Sequence, residues 1–338
     1  MSDYHEQLEA AIRATVLHSS TTYSWFGRRS PELPSYVKKA LTLQTARHYL
    51  LFSLQSRLYE DFYCQGFATP GDKESPKLRM SAGMTPFVAA LSAANAGGGF
   101  WQGGWEVFGV EDGAVVVQKG LRLWVRPEDC LAPEGEPVEP GTRVSLRFPK
   151  EFFGRSPGFY MAAGNEPLDE DGSLPLVRFY WNLTVDGAVR FLREATATLN
   201  RARLPFTLKV VNDPAGFTRC DAGVVYVHKR DYEPAAQRLA SIYPDISIGL
   251  KQAYPAFTKA IAPGLGLAEN PGPAESFGMH RCRLVAEGMV RAHEQGDKSV
   301  DKRLQTVAER FAEEGLSLEK PYLNPGSSDE YTFEVAKR

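Results

Sequence analysis

The chain has 338 residues, with 39 Lys and Arg against 41 Asp and Glu and a formal net charge of -2. That near-balance excludes a protein whose main task is to neutralise nucleic-acid phosphates, which needs a clear basic surplus, so no nucleic-acid partner is expected. With 43% hydrophobic residues the chain can bury a core, and at roughly 100 to 200 residues per domain it holds about two domains or one integrated unit.

No stretch reaches the roughly 18 uncharged apolar residues of a membrane helix. The N-terminal MSDYHEQLEAAIRATV also lacks a charged region followed by an apolar run. A soluble, cytoplasmic protein with no membrane partner is the expectation. Cys64, Cys130, Cys220 and Cys282 are widely spaced and form no CxxC pair, which predicts reduced thiols and no metal centre.

In chain order, apolar residues recur at Leu43, Ala46, Leu50, Leu54, Leu58 and Phe62. Their spacing, mostly four, predicts an amphipathic helix over 41–63, with Tyr59, Phe62 and Tyr63 in the core. The stretch 67–86, rich in Pro, Gly, Ser and charge, reads as a loop. At 95–105, NAGGGFWQGGW, glycines interleave with aromatics and the helical period ends. Strand patterns follow: WEVFGV, a turn at Asp112-Gly113, AVVVQ and LRLWV form hairpins, and RVSLRF alternates polar with apolar side chains.

Further on, LVRFYWNL at 176–183 predicts a strand, 186–202 a helix ended by Pro205, and FTLKVVN and FTRCDAGVVYVH two more strands. Helices are expected near 232–260, 281–294 and 299–314, the last with Val300, Leu304, Val307 and Phe311 on one stripe. The whole predicts an α+β fold in which helices flank a mainly antiparallel sheet. A mainly helical N-terminal region, 1–95, is expected to pack as one unit with the α+β region, 96–338.

Side chains alternate along a strand, so Val177, Phe179, Trp181 and Leu183 share one face while Arg178, Tyr180 and Asn182 share the other. In the next strand Phe206, Leu208 and Val210 are the core set, which leaves Lys209 on the opposite face. If the core faces align, Lys209 joins Arg178 and Tyr180. Arg219 and Asp221, read as the start of the following strand, add a guanidinium and a carboxylate. The segment SFGMHRCRL places His280, Arg281 and Arg283 at a loop-to-helix junction, where free N–H groups and the helix dipole favour an anion.

Together these residues describe a cationic site, because guanidinium forks bind phosphate bidentately. Taken singly, Arg and Lys on strand faces are usually solvated, and Arg219 with Asp221 reads equally well as a local ion pair. His280 followed by Cys282 lacks the second ligand pair of a metal site. The glycine cluster at 97–104 has no GK[ST] and reads as tight turns rather than a phosphate loop.

The segments VRFYWNL, LNRARLPFTLKVV with FTRCDAGVVYV, and SFGMHRCRLVAEGM resemble the HopA-type effector domain. That domain is named for a plant-pathogen type III effector and also occurs in biosynthetic clusters of class V lanthipeptides and thioviridamide-like peptides. The likeness extends to LQSRLYEDFYCQGF, NAGGGFWQGGWEV and EKPYLNPGSSDEY, and so to most of the chain from about residue 40 on. It implies a lyase that needs no cofactor. A separate kinase-like protein phosphorylates Ser or Thr of a precursor peptide, and the HopA-type partner eliminates phosphate to leave dehydroalanine or dehydrobutyrine.

A more distant likeness, to effector phosphothreonine lyases, matches Arg178, Tyr180, Lys209, Arg219 and Arg281 in order. Tyr180 stands where that family has histidine. The roles implied are Lys209 as base, Tyr180 or His280 as acid, and Arg178, Arg219, Arg281 and Arg283 gripping phosphate with Asn182 nearby. The alternative is a non-catalytic peptide-binding partner or scaffold, or a type III effector, that uses the same basic face.

Overall fold

The computed structural model describes residues 3–65, 84–169, 172–296 and 299–335. The N-terminal part runs α1 (Asp3–Ala14), β1 (Thr15–Leu17), β2 (Tyr23–Trp25), β3 (Arg28–Arg29), α2 (Ser35–Ala40) and α3 (Leu43–Arg57). The three short strands form a small sheet that the helical reading of 1–95 did not foresee. The Thr42 side chain caps α3 by accepting from the Thr45 N–H. The expected apolar stripe, Ala46, Leu50, Leu54, Leu58 and Phe62, is buried, whereas Leu43 at the helix start is exposed. The helix continues into a π-helical turn, Leu58–Tyr63, which turns both Phe62 and Tyr63 inward. Of the loop expected at 67–86, positions 67–83 lie outside the described residues.

After α4 (Pro86–Ala94) come β4 (Phe100–Glu111), β5 (Ala114–Lys119), β6 (Leu121–Val125), β7 (Cys130–Leu131) and β8 (Arg143–Phe148). They form an antiparallel sheet of order β6-β5-β4-β8-β7. Trp105, Val107, Val117, Val144 and Leu146 are its own small core. The predicted turn is present, with Asp112 and Gly113 at φ of 49° and 81°, the left-handed pair of a two-residue hairpin.

The remaining strands are β9 (Glu151–Phe152), β10 (Phe159–Ala163), β11 (Leu176–Trp181), β12 (Thr207–Val211), β13 (Gly223–His228), β14 (Lys259–Ala262) and β15 (Leu265–Glu269). They build one seven-stranded antiparallel sheet of order β14-β15-β11-β13-β12-β10-β9. Its helices are α5 (Val185–Arg201), α6 (Tyr232–Ile246), α7 (Phe277–Glu294) and α8 (Val300–Glu313). The α+β reading with an antiparallel sheet therefore holds.

The helix expected over 232–260 needs correcting. It ends at Ile246 with a single 3-10 turn to Gly249, and the chain then returns as β14 and β15. Pro255 and Pro263 interrupt helical hydrogen bonding there, and Leu265 and Leu267 alternate into the core as β15 pairs with β11.

On one face of this sheet, Val177, Phe179, Trp181, Leu208 and Val210 pack with α4, α5 and α6. On the other face, Tyr180, Val224 and Ala268 pack with α1, α3, α7, α8 and the π turn. Burial on both faces explains why every residue of LVRFYW is buried although its sequence alternates. That second helical layer covers the middle of its face and leaves the neighbourhood of Arg178 and Lys209 open. Among the described residues no helix is long and apolar enough to cross a membrane, and no group of His, Cys, Asp or Glu is placed to hold a metal ion.

Candidate functional site

The register fixes which side chains meet. Arg178 is directly opposite Tyr226, and Tyr226 is opposite Thr207. Tyr180 and Lys209 flank Val224 in the same way. Arg178, Tyr180 and Lys209 therefore share one face, as the alternation predicted. With neighbouring strands about 4.8 Å apart, Tyr180 and Lys209 stand about 10 Å from each other across β13.

Above this part of the sheet lies a cleft of about 490 Å³. Its floor is Met161, Arg178, Thr207, Lys209 and Tyr226. Its walls are Arg155 and Ser156 on one side and Asn270 with Gly272 to Ser276, the approach to α7, on the other. The Arg178 side chain is buried, lies 5.0 Å above the centre of the Tyr226 ring and donates from Nη2 to Asn270 Oδ1. Its Nε has no partner among the described residues. The Lys209 ammonium sits 4.4 Å from the ring centre of Phe159 and 5.7 Å from that of Tyr226.

Among the described residues neither Arg178 nor Lys209 forms an ion pair. The one carboxylate on the wall, Glu275, is engaged by Gln55 at 2.8 Å and Arg283 at 3.0 Å. Arg178 and Lys209 over aromatic rings, with Arg155 on the wall and with no ion pair to Arg178 or Lys209 among the described residues, form a receptor for an anionic group.

Tyr180 is fully buried behind Arg178 and is not part of the cleft wall. Burial pushes its hydroxyl up to about 12, partly offset by the Arg178 charge. Its oxygen makes no hydrogen bond of normal geometry among the described residues.

The other predicted residues go elsewhere. Arg219 and Asp221 precede β13 in a turn rather than beginning the strand. The Arg219 guanidinium grips the Asp221 carboxylate with two N–H groups, and donates to Tyr59 Oη at 2.8 Å and Cys64 Sγ at 3.2 Å. Burial alone would raise the Asp221 carboxyl, but Arg219, helped by Lys209, holds it below the usual range. Arg219 touches the Phe159 ring on which Lys209 also rests, 5.5 Å from its centre, yet it does not line the cleft.

Helix α7 starts at Phe277, not near 281, because Ser276 caps it. Arg281 consequently lies in the second turn, fully buried, where it donates to the carbonyls of Pro321 at 2.7 Å and Leu323 at 3.1 Å. It fastens the C-terminal segment instead of facing the cleft. Arg283 pairs with Glu275 and Glu287 at 3.0 and 3.1 Å. Asn182 lies past the end of β11 and donates to Ala253 O at 2.8 Å and Cys220 Sγ at 3.3 Å.

His280 accepts from Arg281 Nη1 through Nδ1 at 2.8 Å. Burial, reinforced by the charges of Arg281 and Arg283, lowers its pKa from 6.5 to about 4. The imidazole is therefore neutral at pH 7, unsuited to donating a proton, and absent from the cleft wall. Between pH 6.5 and about 4 the unfolded chain binds a proton there that the folded chain does not. Stability must then fall as the pH falls through this window. Replacing His280 by Gln should flatten that part of the profile of melting temperature against pH, while the wild-type profile should slope downward toward acid.

Among the cleft residues that sequence reasoning missed are Tyr226, Arg155, Met161 and Asn270, whereas Thr207 shares the face of Lys209 by the same alternation. Tyr226 was within reach, since it alternates with Val225 and Val227 as Arg178 does with Val177 and Phe179. Asn270 carried no such signal, because β15, at whose end it stands, was not foreseen.

The HopA1 effector protein family model matches residues 155–323, half of the chain. The chain belongs to the HopA1 effector protein family. The HopA1 match encloses Arg178, Lys209, Tyr226, Asn270 and the start of α7. Outside it lie the helices before residue 95 and the β4–β8 sheet. Among solved structures, the chain is similar to the effector protein from Pseudomonas syringae pv. tomato strain DC3000. That likeness has 14% identity and a TM-score of 0.44, over 82% of this chain and 95% of that one. It is also similar to the effector protein from Pseudomonas syringae pv. syringae strain 61, at 14% identity and a TM-score of 0.37, over 49% of this chain and 63% of that one. No curated protein matches the sequence.

Proposed function

We propose that this HopA1-family chain is a phosphoserine/phosphothreonine lyase. In this reading it removes phosphate from a ribosomal precursor peptide that a separate kinase-like protein has phosphorylated, in the cytoplasm and without a cofactor. The observation that carries the proposal is the pairing, in one cleft, of a lysine and a buried arginine, neither of which forms an ion pair among the described residues.

Lys209 acts as the neutral amine, after releasing its ammonium proton to solvent, and takes the α-proton onto Nζ. The electron pair left on Cα forms the double bond to Cβ, and the Cβ–O bond breaks with its electrons on the departing phosphate. Arg178 stabilises the charge that develops there, acting as a preorganised donor where water is partly excluded. The phosphate oxygen gains a proton from a hydroxyl, and Tyr226 is the tyrosine of the cleft floor. The approach to α7 gives an extended peptide a wall to lie against.

The direct test mixes the purified protein with a phosphothreonine or phosphoserine peptide. Inorganic phosphate and a dehydrated residue should appear together by mass spectrometry. Free phosphate with a restored hydroxyl would mean hydrolysis, and no release would return the non-catalytic binding reading. The proton donor is identified by single-turnover comparison of tyrosine variants. Tyr226→Phe should slow elimination by about a hundredfold or more, the usual scale of general-acid catalysis. Tyr180→Phe should slow it far less, because its hydroxyl is buried away from the cleft.

A further inference from the structure

Arg178 is oriented by an unusual partner. Of the groups that could hold a buried guanidinium, an aspartate or glutamate is the strong and common one, yet here the acceptor is the amide oxygen of Asn270. An arginine can only donate, so Oδ1 and not Nδ2 must face it. Asn270 is itself held on several sides. Its backbone N–H donates to Leu176 O at 2.8 Å, its carbonyl accepts from Asn324 Nδ2 at 2.7 Å, and its own Nδ2 reaches Gly272 O at 3.3 Å. Its neighbour Glu269 is buried and clasped by Lys229, Tyr331 and the Asn324 N–H. Glu269, the carboxylate next to Asn270 in the chain, is thus turned to other partners while a neutral amide meets Arg178.

We infer that Asn270 is a positioning residue that holds Arg178 in the cleft while leaving its charge uncancelled, so that neutrality at position 270 sets the cleft's affinity for phosphate. A carboxylate in the same place would orient the guanidinium equally well but would occupy and neutralise the fork that an incoming dianion needs. The inference rests on reading the cleft as a phosphate site and names what tunes it.

The test compares Asn270→Asp with Asn270→Ala by calorimetric titration with inorganic phosphate and with a phosphothreonine peptide. A merely structural asparagine predicts that Asp, which has the same shape and still accepts from Arg178, is the milder change. The charge argument predicts the reverse order. Asn270→Asp should weaken phosphate binding by about ten- to a hundredfold, the weight of a charge-assisted contact, and by more than Asn270→Ala does. Asn270→Ala should show the lower melting temperature. Asn270→Glu supplies the same charge on a longer stem should the Asp variant not fold.

Equal or milder weakening in the anionic variants overturns the inference, as does a wild-type chain that binds no phosphate. Elimination is measured separately on the wild-type protein. Absence of turnover with the Asp-worse-than-Ala order intact would remove the lyase reading alone. Turnover with the order reversed would remove this inference alone.

Discussion

Lys209→Arg should bind a phosphopeptide as the wild-type protein does and lose elimination. Arginine keeps the positive charge in the middle of β12, so attraction for phosphate over the Phe159 and Tyr226 rings is preserved. It does not lose its proton at any pH at which the fold survives, so it cannot accept one from Cα. General-base contributions of about a hundred- to ten-thousandfold set the expected scale, read as single-turnover rate against binding titration on the same preparation. A variant that keeps both binding and rate removes the base from Lys209. A wild-type protein that binds and never turns over makes the cleft a peptide holder.

Arg219→Ala should act on stability rather than on phosphate. The substitution strands the Asp221 carboxylate, only 4% exposed, without its guanidinium and takes the donor from Tyr59. Removing one partner of a buried pair destabilises by about 3 to 5 kcal/mol, because the remaining charge stays desolvated. The denaturant midpoint should fall accordingly. Replacing both members, Arg219→Met with Asp221→Leu, should recover much of the loss, since no buried charge then remains. If Arg219→Ala instead left stability unchanged and weakened phosphopeptide binding tenfold or more, Arg219 would belong to the phosphate grip after all.

The two arginines, so alike in sequence, part company in the fold for a physical reason. Arg178 lies within a strand whose alternation dictates its face, and the face dictates the cleft. Arg219 lies in a turn, where no periodicity directs a side chain, and the carboxylate two residues away captures it. The ordinary reading of Arg219 and Asp221 as a local ion pair describes what is seen. Arg281 and His280 differ again. Their place at a loop-to-helix junction suggested an anion-binding helix start, but the cap at Ser276 puts that start at Phe277, three residues before His280. Both side chains are thereby turned toward the C-terminal segment and α8.

Period-two alternation in LVRFYWNL and FTLKVV was enough to place Arg178, Tyr180 and Lys209 on a common face, because a strand allows each side chain only two directions. Apolar spacing and Pro205 were enough to bracket α3, α5 and α8 to within about two residues, whereas the start of α7 went unread although the Ser276 oxygen caps it. Only the tertiary structure could decide that Tyr180 is sealed behind Arg178, that Arg281 and Arg283 are spent on other partners, and that β15 docks beside β11 to bring Asn270 to the cleft. Arg283 apart, whose partners Glu275 and Glu287 are near in sequence, each of those outcomes depends on groups tens to more than a hundred residues apart. Which carboxylate, carbonyl or amide an arginine meets is settled by packing across that distance, and local spacing carries no record of it.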